Sequence, residues 1–309
     1  MRVLVTGATA PLGGAVVAAL LAAPEVEHVL ATGREARTLA APRLSYCAAD
    51  LTRPRVLHDV LWGPARELGI TAVVHGMQHR PANDRGERVH AQNVSATREL
   101  VLACVDHPTI HRLVVRSFAE VYTLRQPTSD LIDEESPLDF DPIAPQWVRD
   151  RVEADLGACA HLATPLSIAV LRCAEIFAAG TGSQLWDYLS SRVCLRPLGF
   201  DPMLNLLSID DAVAAVLAAL RSQAVGVFNI PGFDTLPLSR AIAGRGRTDL
   251  PIPGPLMAPL YGLRRWVAGF DFRYDMNVRR FHFGGVLDGR RAHAQLGYTP
   301  RTPVALTPP

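Results

Sequence analysis

The chain has 309 residues, with no lysine, 31 arginines, 30 acidic residues and a formal net charge of +1 at neutral pH. Because these charges are interspersed, neither nucleic acid nor an acidic membrane surface is an expected partner, and the length allows one large domain or a main domain with a smaller one. Five cysteines without a Cys-x-x-Cys pair favour reduced thiols over a disulfide framework, and we expect no metal site.

Seven short apolar segments predict the strands of one sheet. Most of them are continuous apolar runs, which are typical of parallel strands that are buried on both faces. The predicted strands are Arg2–Thr6, His28–Thr32, Leu44–Ala48, Ala72–Gly76, Arg112–Arg116, Ser167–Arg172 and Val227–Ile230.

Helical segments lie between these strands. The predicted helices are Leu12–Ala22, Gly86–Val105, Pro145–His161 and Asp210–Leu220. The alternation of strands and helices predicts an α/β fold with a Rossmann-type, doubly wound parallel sheet. From Leu236 onward prolines recur without a strand–helix rhythm, so we predict a smaller, loop-rich C-terminal segment.

The first predicted strand runs into the turn VTGATAPLGG at residues 5–14. A strand, a glycine turn and a helix N-terminus together direct backbone N–H groups at an anion, so this turn predicts a site for a dinucleotide pyrophosphate. Compared with a Gly-x-x-Gly-x-x-Gly motif, this chain has Ala10 in place of the middle glycine. Compared with a shorter-spaced variant of the motif, it has Pro11 in place of a glycine. A glycine turn without a ligand is the alternative. The predicted contacts are Gly7, Thr9, Ala10, Pro11, Leu12 and Gly13.

The end of the second predicted strand bears on the choice of cofactor. Enzymes that use NAD place an acidic residue there to bind the adenine ribose hydroxyls, whereas this chain has Gly33 followed by Arg34, with Arg37 one turn later. Fixed positive charge suits the 2′-phosphate of NADPH, so we predict NADPH (NADP+) as the cofactor. The alternative is that Arg34 is a solvated surface arginine.

Seven stretches in this order resemble the extended short-chain dehydrogenase/reductases, a family that includes nucleotide-sugar epimerases and dehydratases. They are the turn at 5–14, AADL at 48–51, AVVHGM at 72–77, RLVVRSFAEVY at 112–122, LLSIDDAVAAV at 206–216, VFNIPG at 227–232 and LGYTP at 296–300. The resemblance implies an NADP-binding domain of residues 1–172 plus 206–229 and a substrate lobe of residues 173–205 plus 230–309. It also implies that Asp50, Leu51, Gly76 and Met77 line the cofactor groove.

The catalytic residues of that family are missing from this chain. The family uses a serine and a Tyr-x-x-x-Lys pair, and the matching positions here hold Phe118, Trp147 and Arg151. An indole N–H does not titrate usefully, so Trp147 is no acid–base group. By the resemblance, Arg151 takes over the contact of the lysine with the cofactor ribose. Tyr188 and Tyr261 have an arginine at the same spacing but lie downstream, and we interpret them as packing residues.

Other side chains predict a substrate pocket. His75 lies inside a strand and is interpreted as a core histidine, whereas His79 follows that strand and is either catalytic or part of the pocket lining. Large side chains would wall a wide apolar pocket suited to a flat aromatic ligand, unless some of them belong to the core. The candidate pocket residues are His79, Ser117, Phe118, Trp147, Trp186 and Met203.

Two functions of different classes follow. One is an inactive NADP(H)-binding sensor or scaffold. The other is a ketoreductase whose substrate supplies the missing proton, since a phenol next to the ketone can protonate the alkoxide as hydride arrives. A chain with these three residues in the triad positions resembles the atypical polyketide ketoreductases. This resemblance implies that the substrate is a ketone of an angucyclinone, an aromatic polyketide, in antibiotic biosynthesis.

The chain enters its first predicted strand at residue 2, which leaves no room for a signal peptide. Its longest apolar runs are too short to span a bilayer. We therefore expect a cytoplasmic protein without a membrane partner. The sequence does not indicate an oligomeric state.

Overall fold

A computed structural model describes residues 1–36, 41–78, 81–124, 131–268 and 272–306. Its strands are β1 (Arg2–Thr6), β2 (His28–Gly33), β3 (Leu44–Ala48), β4 (Ala72–His75), β5 (Arg112–Phe118), β6 (Ser167–Cys173), β7 (Glu175–Ile176), β8 (Val193–Pro197), β9 (Met203–Leu207), β10 (Gly226–Ile230), β11 (Asp234–Pro237) and β12 (Thr248–Ile252). Its helices are α1 (Pro11–Ala22), α2 (Pro54–Val60), α3 (Glu87–His90), α4 (Ala96–Val105), α5 (Gln146–Cys159), α6 (Gln184–Ser190), α7 (Ile209–Arg221), α8 (Leu238–Gly244), α9 (Gly254–Ala268), α10 (Tyr274–Phe283) and α11 (Arg290–Leu296). Single π-helical turns follow α2 and precede α4.

The seven predicted strands form one parallel sheet with the order β10-β6-β5-β4-β1-β2-β3. This is the predicted doubly wound fold, and the strand order reverses between β1 and β4, where such sheets bind their ligands. The strands are mostly apolar because both faces of the sheet are covered. Leu20, Leu171 and Phe228 are buried on one face, and Leu30 and Leu113 on the other.

Local sequence explains where the helices next to the site begin. Pro11 takes the first position of α1, where the missing N–H costs no hydrogen bond. Ser208 caps α7, since its hydroxyl accepts a hydrogen bond of 3.0 Å from the backbone N–H of Asp211. Within the described part of the chain, no helix is both long enough and apolar enough to cross a membrane.

The prediction of a loop-rich segment after Leu236 is wrong, because β11, α8, β12, α9, α10 and α11 lie there. Most of the prolines occupy places that regular structure tolerates. Pro237 precedes α8, Pro255 lies in the first turn of α9, and Pro251 lies in β12, which pairs only with β8 in a two-stranded sheet.

This C-terminal segment builds its own aromatic core. Tyr188 and Tyr261 are buried there against Phe272 and Phe281, and each hydroxyl donates to the carbonyl of Leu195 at 3.2 Å. Both tyrosines are therefore packing residues, as interpreted from the sequence. The predicted domain boundaries stay a prediction, although the end of the segment packs into the core of the large sheet through Ala292, Leu296 and Tyr298.

Candidate functional site

The turn between β1 and α1 has the close packing that a phosphate site needs. Gly7 has a φ of +69°, and a Cβ there would lie 3.1 Å from the carbonyl oxygen of Gly76. A Cβ on Gly13 would lie 2.2 Å from the carbonyl oxygen of Gly7, so α1 approaches the turn more closely than any other residue type allows. The N–H groups of Leu12 and Gly13 lie in the first turn of α1, which has no acceptors for them within the helix. These residues fit the pyrophosphate of a dinucleotide.

Ala10 and Pro11 occupy the expected place at the start of α1. The backbone of Ala10 is extended, and its carbonyl accepts a hydrogen bond of 2.8 Å from the N–H of Gly14. Pro11 faces Gly180, where an added Cβ would lie 3.3 Å from its ring. The side chain of Thr9 packs over Gly33.

The other predicted cofactor residues lie along the same edge of the sheet. Arg34 is exposed immediately after β2, whereas Arg37 lies outside the described residues. Asp50 follows β3, and its carboxylate accepts a hydrogen bond of 2.7 Å from the hydroxyl of Thr52. Leu51 is buried, and Gly76 and Met77 follow β4 and lie against Gly7.

The positions of the missing triad form one stack. Trp147 and Arg151 lie one turn apart on α5, and Phe118 ends β5. The guanidinium carbon of Arg151 lies 3.3 Å from the centroid of the Trp147 ring and 3.9 Å from that of the Phe118 ring. Burial lowers the pKa of Arg151 to about 10, which leaves it charged at neutral pH. The stack holds a buried cation between two rings, and it contains no group that exchanges a proton near neutral pH.

A chain of alternating charges, which the sequence analysis missed, joins this stack to α10. The carboxylate of Glu120 lies 3.0 Å from Arg151 and 3.8 Å from Arg280, and Arg280 also pairs with Glu175. Burial alone would raise the pKa of Glu120, but Arg151 and Arg280 outweigh it and lower this pKa. Glu120 is therefore a carboxylate rather than an acid. Its signal in the sequence is a charged residue inside the apolar segment SFAEVY.

A second buried network holds Ser117. Its hydroxyl donates to Asp155, and Arg172 binds the same carboxylate through hydrogen bonds of 2.7 and 3.0 Å. Arg172 also donates to the Tyr122 hydroxyl at 3.0 Å, and that hydroxyl donates to Asn229 at 2.7 Å. Burial raises the pKa of Tyr122 to about 12. Ser117 and Tyr122 thus serve the packing of the sheet and are poor proton donors at neutral pH.

A cavity of about 270 Å³ lies between the carboxyl ends of β5 and β6 and helix α10. Both arginines among its described lining residues are paired, because Arg279 binds Asp139 and Asp141 at 2.5 Å each and Arg280 binds Glu175. Most of the remaining wall is apolar. The apolar lining includes Leu124, Ile132, Ile143, Ala144, Val148, Met276, Val278 and Leu287.

The structure brings only part of the predicted pocket together. Ser117, Phe118 and Trp147 line a second, small cavity of about 30 Å³, together with Met77. Whether any of them contacts a substrate stays a prediction, and His79 lies outside the described residues.

Two further pocket candidates have other surroundings. Trp186 packs against the aromatic core that contains Tyr188 and Tyr261. Its ring lies 5.1 Å from that of Phe177 and 4.4 Å from the guanidinium carbon of Arg245. Met203 is 42% exposed on β9. Among the described lining residues of both cavities, neither is present. Whether either side chain contacts a substrate stays a prediction.

His75 is a core histidine, as interpreted from the sequence. It is 3% exposed, and its two ring nitrogens are hydrogen-bonded to the hydroxyls of Thr6 at 2.9 Å and Thr97 at 3.0 Å. Burial lowers its pKa from 6.5 to about 4. The neutral ring is therefore the folded form over most of the physiological range.

This burial predicts a pH dependence of stability. Between pH 6.5 and about 4 the unfolded chain protonates His75 but the folded chain does not, so the free energy of unfolding falls as the pH drops through this window. The loss is at most about 3 kcal/mol. Urea unfolding at both ends of the window should show a smaller loss in His75→Leu than in the wild type. His111→Asn, at an exposed histidine, is the control and should match the wild type. An unchanged loss in His75→Leu would contradict the prediction.

Comparisons with known proteins agree with this geometry. The model of the NAD dependent epimerase/dehydratase family matches residues 3–230. Among solved structures, dTDP-glucose 4,6-dehydratase DesIV from Streptomyces venezuelae with NAD bound is similar with a TM-score of 0.71 at 21% identity, covering 99% of this chain and 94% of that one. This likeness covers the large sheet and the C-terminal segment alike.

Two curated proteins are similar over nearly the whole chain. A 3-diazoavenalumate denitrifying reductase from a Streptomyces species is 28% identical over 327 residues, covering 98% of this chain and 97% of that protein. An uncharacterized protein of Mycobacterium tuberculosis H37Rv is 28% identical over 310 residues, covering 97% of this chain and 80% of that protein.

Proposed function

The chain belongs to the NAD dependent epimerase/dehydratase family, and from this membership we propose that it is an NADPH-dependent ketoreductase acting on a ketone of an aromatic polyketide, specifically an angucyclinone. One observation carries the proposal. A buried stack of Phe118, Trp147 and Arg151 fills the positions of the family's proton-donating residues. A reduction in this site needs a proton from elsewhere, and a ketone with a neighbouring phenol contains one.

The residues that follow β1, β2 and β3 at one edge of the sheet support the proposal that a dinucleotide binds there. The β1–α1 turn, with Gly7 and Gly13, would hold the pyrophosphate, and Asp50 would line the adenine side. Arg34 would meet the 2′-phosphate of NADPH. The bound cofactor supplies hydride, which a carbonyl carbon accepts.

The large cavity favours an apolar aromatic substrate over a nucleotide sugar. A nucleoside diphosphate needs cations with unsatisfied charge, but the two arginines among the described lining residues of the cavity are paired with carboxylates. The part of the cavity wall that the structure describes also carries five carboxylates, and they would repel a diphosphate. These are Glu120, Asp139, Asp141, Glu175 and Asp275.

The proposed proton path balances within the substrate. Hydride adds to the carbonyl carbon, and the carbonyl oxygen takes the proton of the adjacent phenol. The product is an alcohol beside a delocalised phenolate, which solvent reprotonates. A phenol, with an unperturbed pKa of about 10, is a far better proton donor than water. The buried guanidinium groups of Arg116 and Arg151 provide positive charge near this end of the sheet.

The choice of cofactor gives a testable prediction. NADPH should bind more tightly than NADH, and Arg34→Ala should reduce the difference roughly tenfold, equivalent to about 1.4 kcal/mol, because a charge-assisted contact with the 2′-phosphate is lost. Cofactor fluorescence titrations would measure both affinities. Arg240→Ala, at an exposed arginine on α8, is the control and should leave the difference unchanged. Equal affinities of the wild type for the two cofactors would contradict the assignment.

The function itself is tested with purified protein, NADPH and an angucyclinone that carries a phenol beside its ketone. The proposal expects loss of nicotinamide absorbance in a one-to-one ratio with the alcohol formed. If both ligands bind and neither changes, the chain is a nucleotide-binding sensor or scaffold instead.

The Streptomyces relative supports a second candidate. By its name, that enzyme is a denitrifying reductase of a diazo compound, 3-diazoavenalumate. Hydride addition to an aryl diazonium gives a diazene that loses N₂ and leaves hydrogen on the ring, and this step likewise needs no proton-donating side chain. An ortho-hydroxyaryl diazonium salt in the same assay would reveal this activity through NADPH-dependent release of N₂.

A further inference from the structure

The end of β2 is closed by two side chains. A Cβ on Gly33 would lie 2.6 Å from Cγ2 and 3.0 Å from Oγ1 of Thr9, and 2.8 Å from the hydroxyl oxygen of Tyr46. Thr9 comes from the β1–α1 turn and Tyr46 from β3, so the two side chains approach Gly33 from neighbouring elements. We call this pair the Thr9–Tyr46 plug.

The plug makes a side chain at position 33 impossible without rearrangement. Real Cβ atoms essentially never lie closer than 3.0 Å to a neighbouring atom. A Cβ at position 33 would lie closer than this to two atoms and at this distance from a third. The carboxylate that would bind the 2′- and 3′-hydroxyls of NADH is absent from the sequence, and placing one at position 33 would require the side chains of Thr9 and Tyr46 to move.

Tyr46 has a second contact with the same turn. Its hydroxyl donates a hydrogen bond of 2.6 Å to the backbone carbonyl of Glu35. This bond ties residues 33–36 to β3, and Arg34 lies exposed within that span. The anchor thus limits where the Arg34 guanidinium can lie.

We propose that Thr9 and Tyr46 are specificity-determining residues for the cofactor, which exclude a carboxylate from position 33 and hold the turn that presents Arg34 to the 2′-phosphate of NADPH. The inference rests on the proposed cofactor. It predicts that specificity at this site depends on three positions together and that exchange of residue 33 alone does not reverse it.

The steric part is tested without any nucleotide. Gly33→Ala should lower the thermal midpoint of unfolding in the wild-type background and leave it nearly unchanged in the Thr9→Gly/Tyr46→Phe background, where the three close atoms are gone. Gly76→Ala, whose Cβ would lie an ordinary 3.5 Å from the carbonyl of Thr6, is the control and should have little effect in either background. An equal decrease for Gly33→Ala in both backgrounds would overturn the plug.

The specificity part is tested by titrating NADPH and NADH into four proteins. Gly33→Asp alone should weaken both cofactors at least tenfold, because the carboxylate displaces the plug. Gly33→Asp/Thr9→Gly/Tyr46→Phe should bind NADH more tightly than NADPH. Tyr46→Phe alone should weaken NADPH several-fold and leave NADH unchanged, since only the anchor of the turn is lost.

The outcomes separate this inference from the proposed function. If Gly33→Asp alone reverses the preference, the plug does not control specificity even though the cofactor assignment stands. If the wild type binds neither cofactor, the specificity role and the proposed function both fail, while the unfolding experiment still decides whether the plug exists.

Discussion

Replacement of Gly13 by alanine is expected to abolish nucleotide binding, with a loss of affinity of about 100-fold or more. The added Cβ would lie 2.2 Å from the carbonyl oxygen of Gly7 and 2.8 Å from its carbon, both of which are backbone atoms that no rotamer change can move away. Helix α1 must therefore shift away from β1, and its N–H groups leave the pyrophosphate site. Forced overpacking of this kind costs about 1–3 kcal/mol of stability.

Gly14→Ala is the matched control. Its Cβ would lie 3.6 Å from the carbonyl oxygen of Ala8, an ordinary contact, on the exposed side of α1. Alanine there should stabilise the helix by about 0.5–1 kcal/mol and leave binding unchanged. Fluorescence titration with NADPH and urea unfolding measure the two effects. Normal binding by a folded Gly13→Ala variant would show that the phosphates do not lie at this turn.

Methylation of the phenol beside the ketone should nearly stop reduction. Without the phenolic proton the alkoxide would form near groups that cannot easily protonate it. The carboxyl group of Glu120 is ionised, and the hydroxyls of Ser117 and Tyr122 already donate to Asp155 and Asn229. The rate of alcohol formation from the methyl ether is compared with that from the free phenol. A binding titration shows whether the bulkier ether still occupies the site.

The same mechanism predicts small effects for substitutions in the protein. Ser117→Ala and His79→Ala should lower turnover well short of the 10²–10⁴-fold loss that removal of a positioned general acid causes. Trp147→Phe keeps a ring against Arg151 and should act through packing. If the bound ether is reduced at the normal rate, or if His79→Ala alone stops turnover with substrate bound, the proton comes from the protein or from water.

The sheet was predictable because each strand is a continuous apolar segment between turn residues. The position of the predicted cofactor residues was predictable from the sheet, since the residues that follow β1, β2, β3 and β4 meet at the edge where these parallel strands end. The C-terminal elements were not predictable in the same way. Pro237 and Pro255 read as breaks in the sequence, but they precede a helix or lie in its first turn.

The triad positions were found in the sequence, but their arrangement was not. Spacing along α5 places Trp147 next to Arg151, whereas nothing in the spacing shows that Phe118 covers the other face of the guanidinium. Likewise Arg280, a second partner of Glu120 and the partner of Glu175, is brought from α10 by tertiary packing alone.

The most direct test of the proposed activity follows the transferred hydrogen. The protein is incubated with NADPH that carries deuterium at nicotinamide C4, on one face and then on the other, and with an angucyclinone that bears a phenol next to its ketone. We predict that one of the two labelled cofactors places a single deuterium on the carbinol carbon of the product. An alcohol without deuterium from either cofactor, or no alcohol from a substrate that binds, would contradict the ketoreductase assignment.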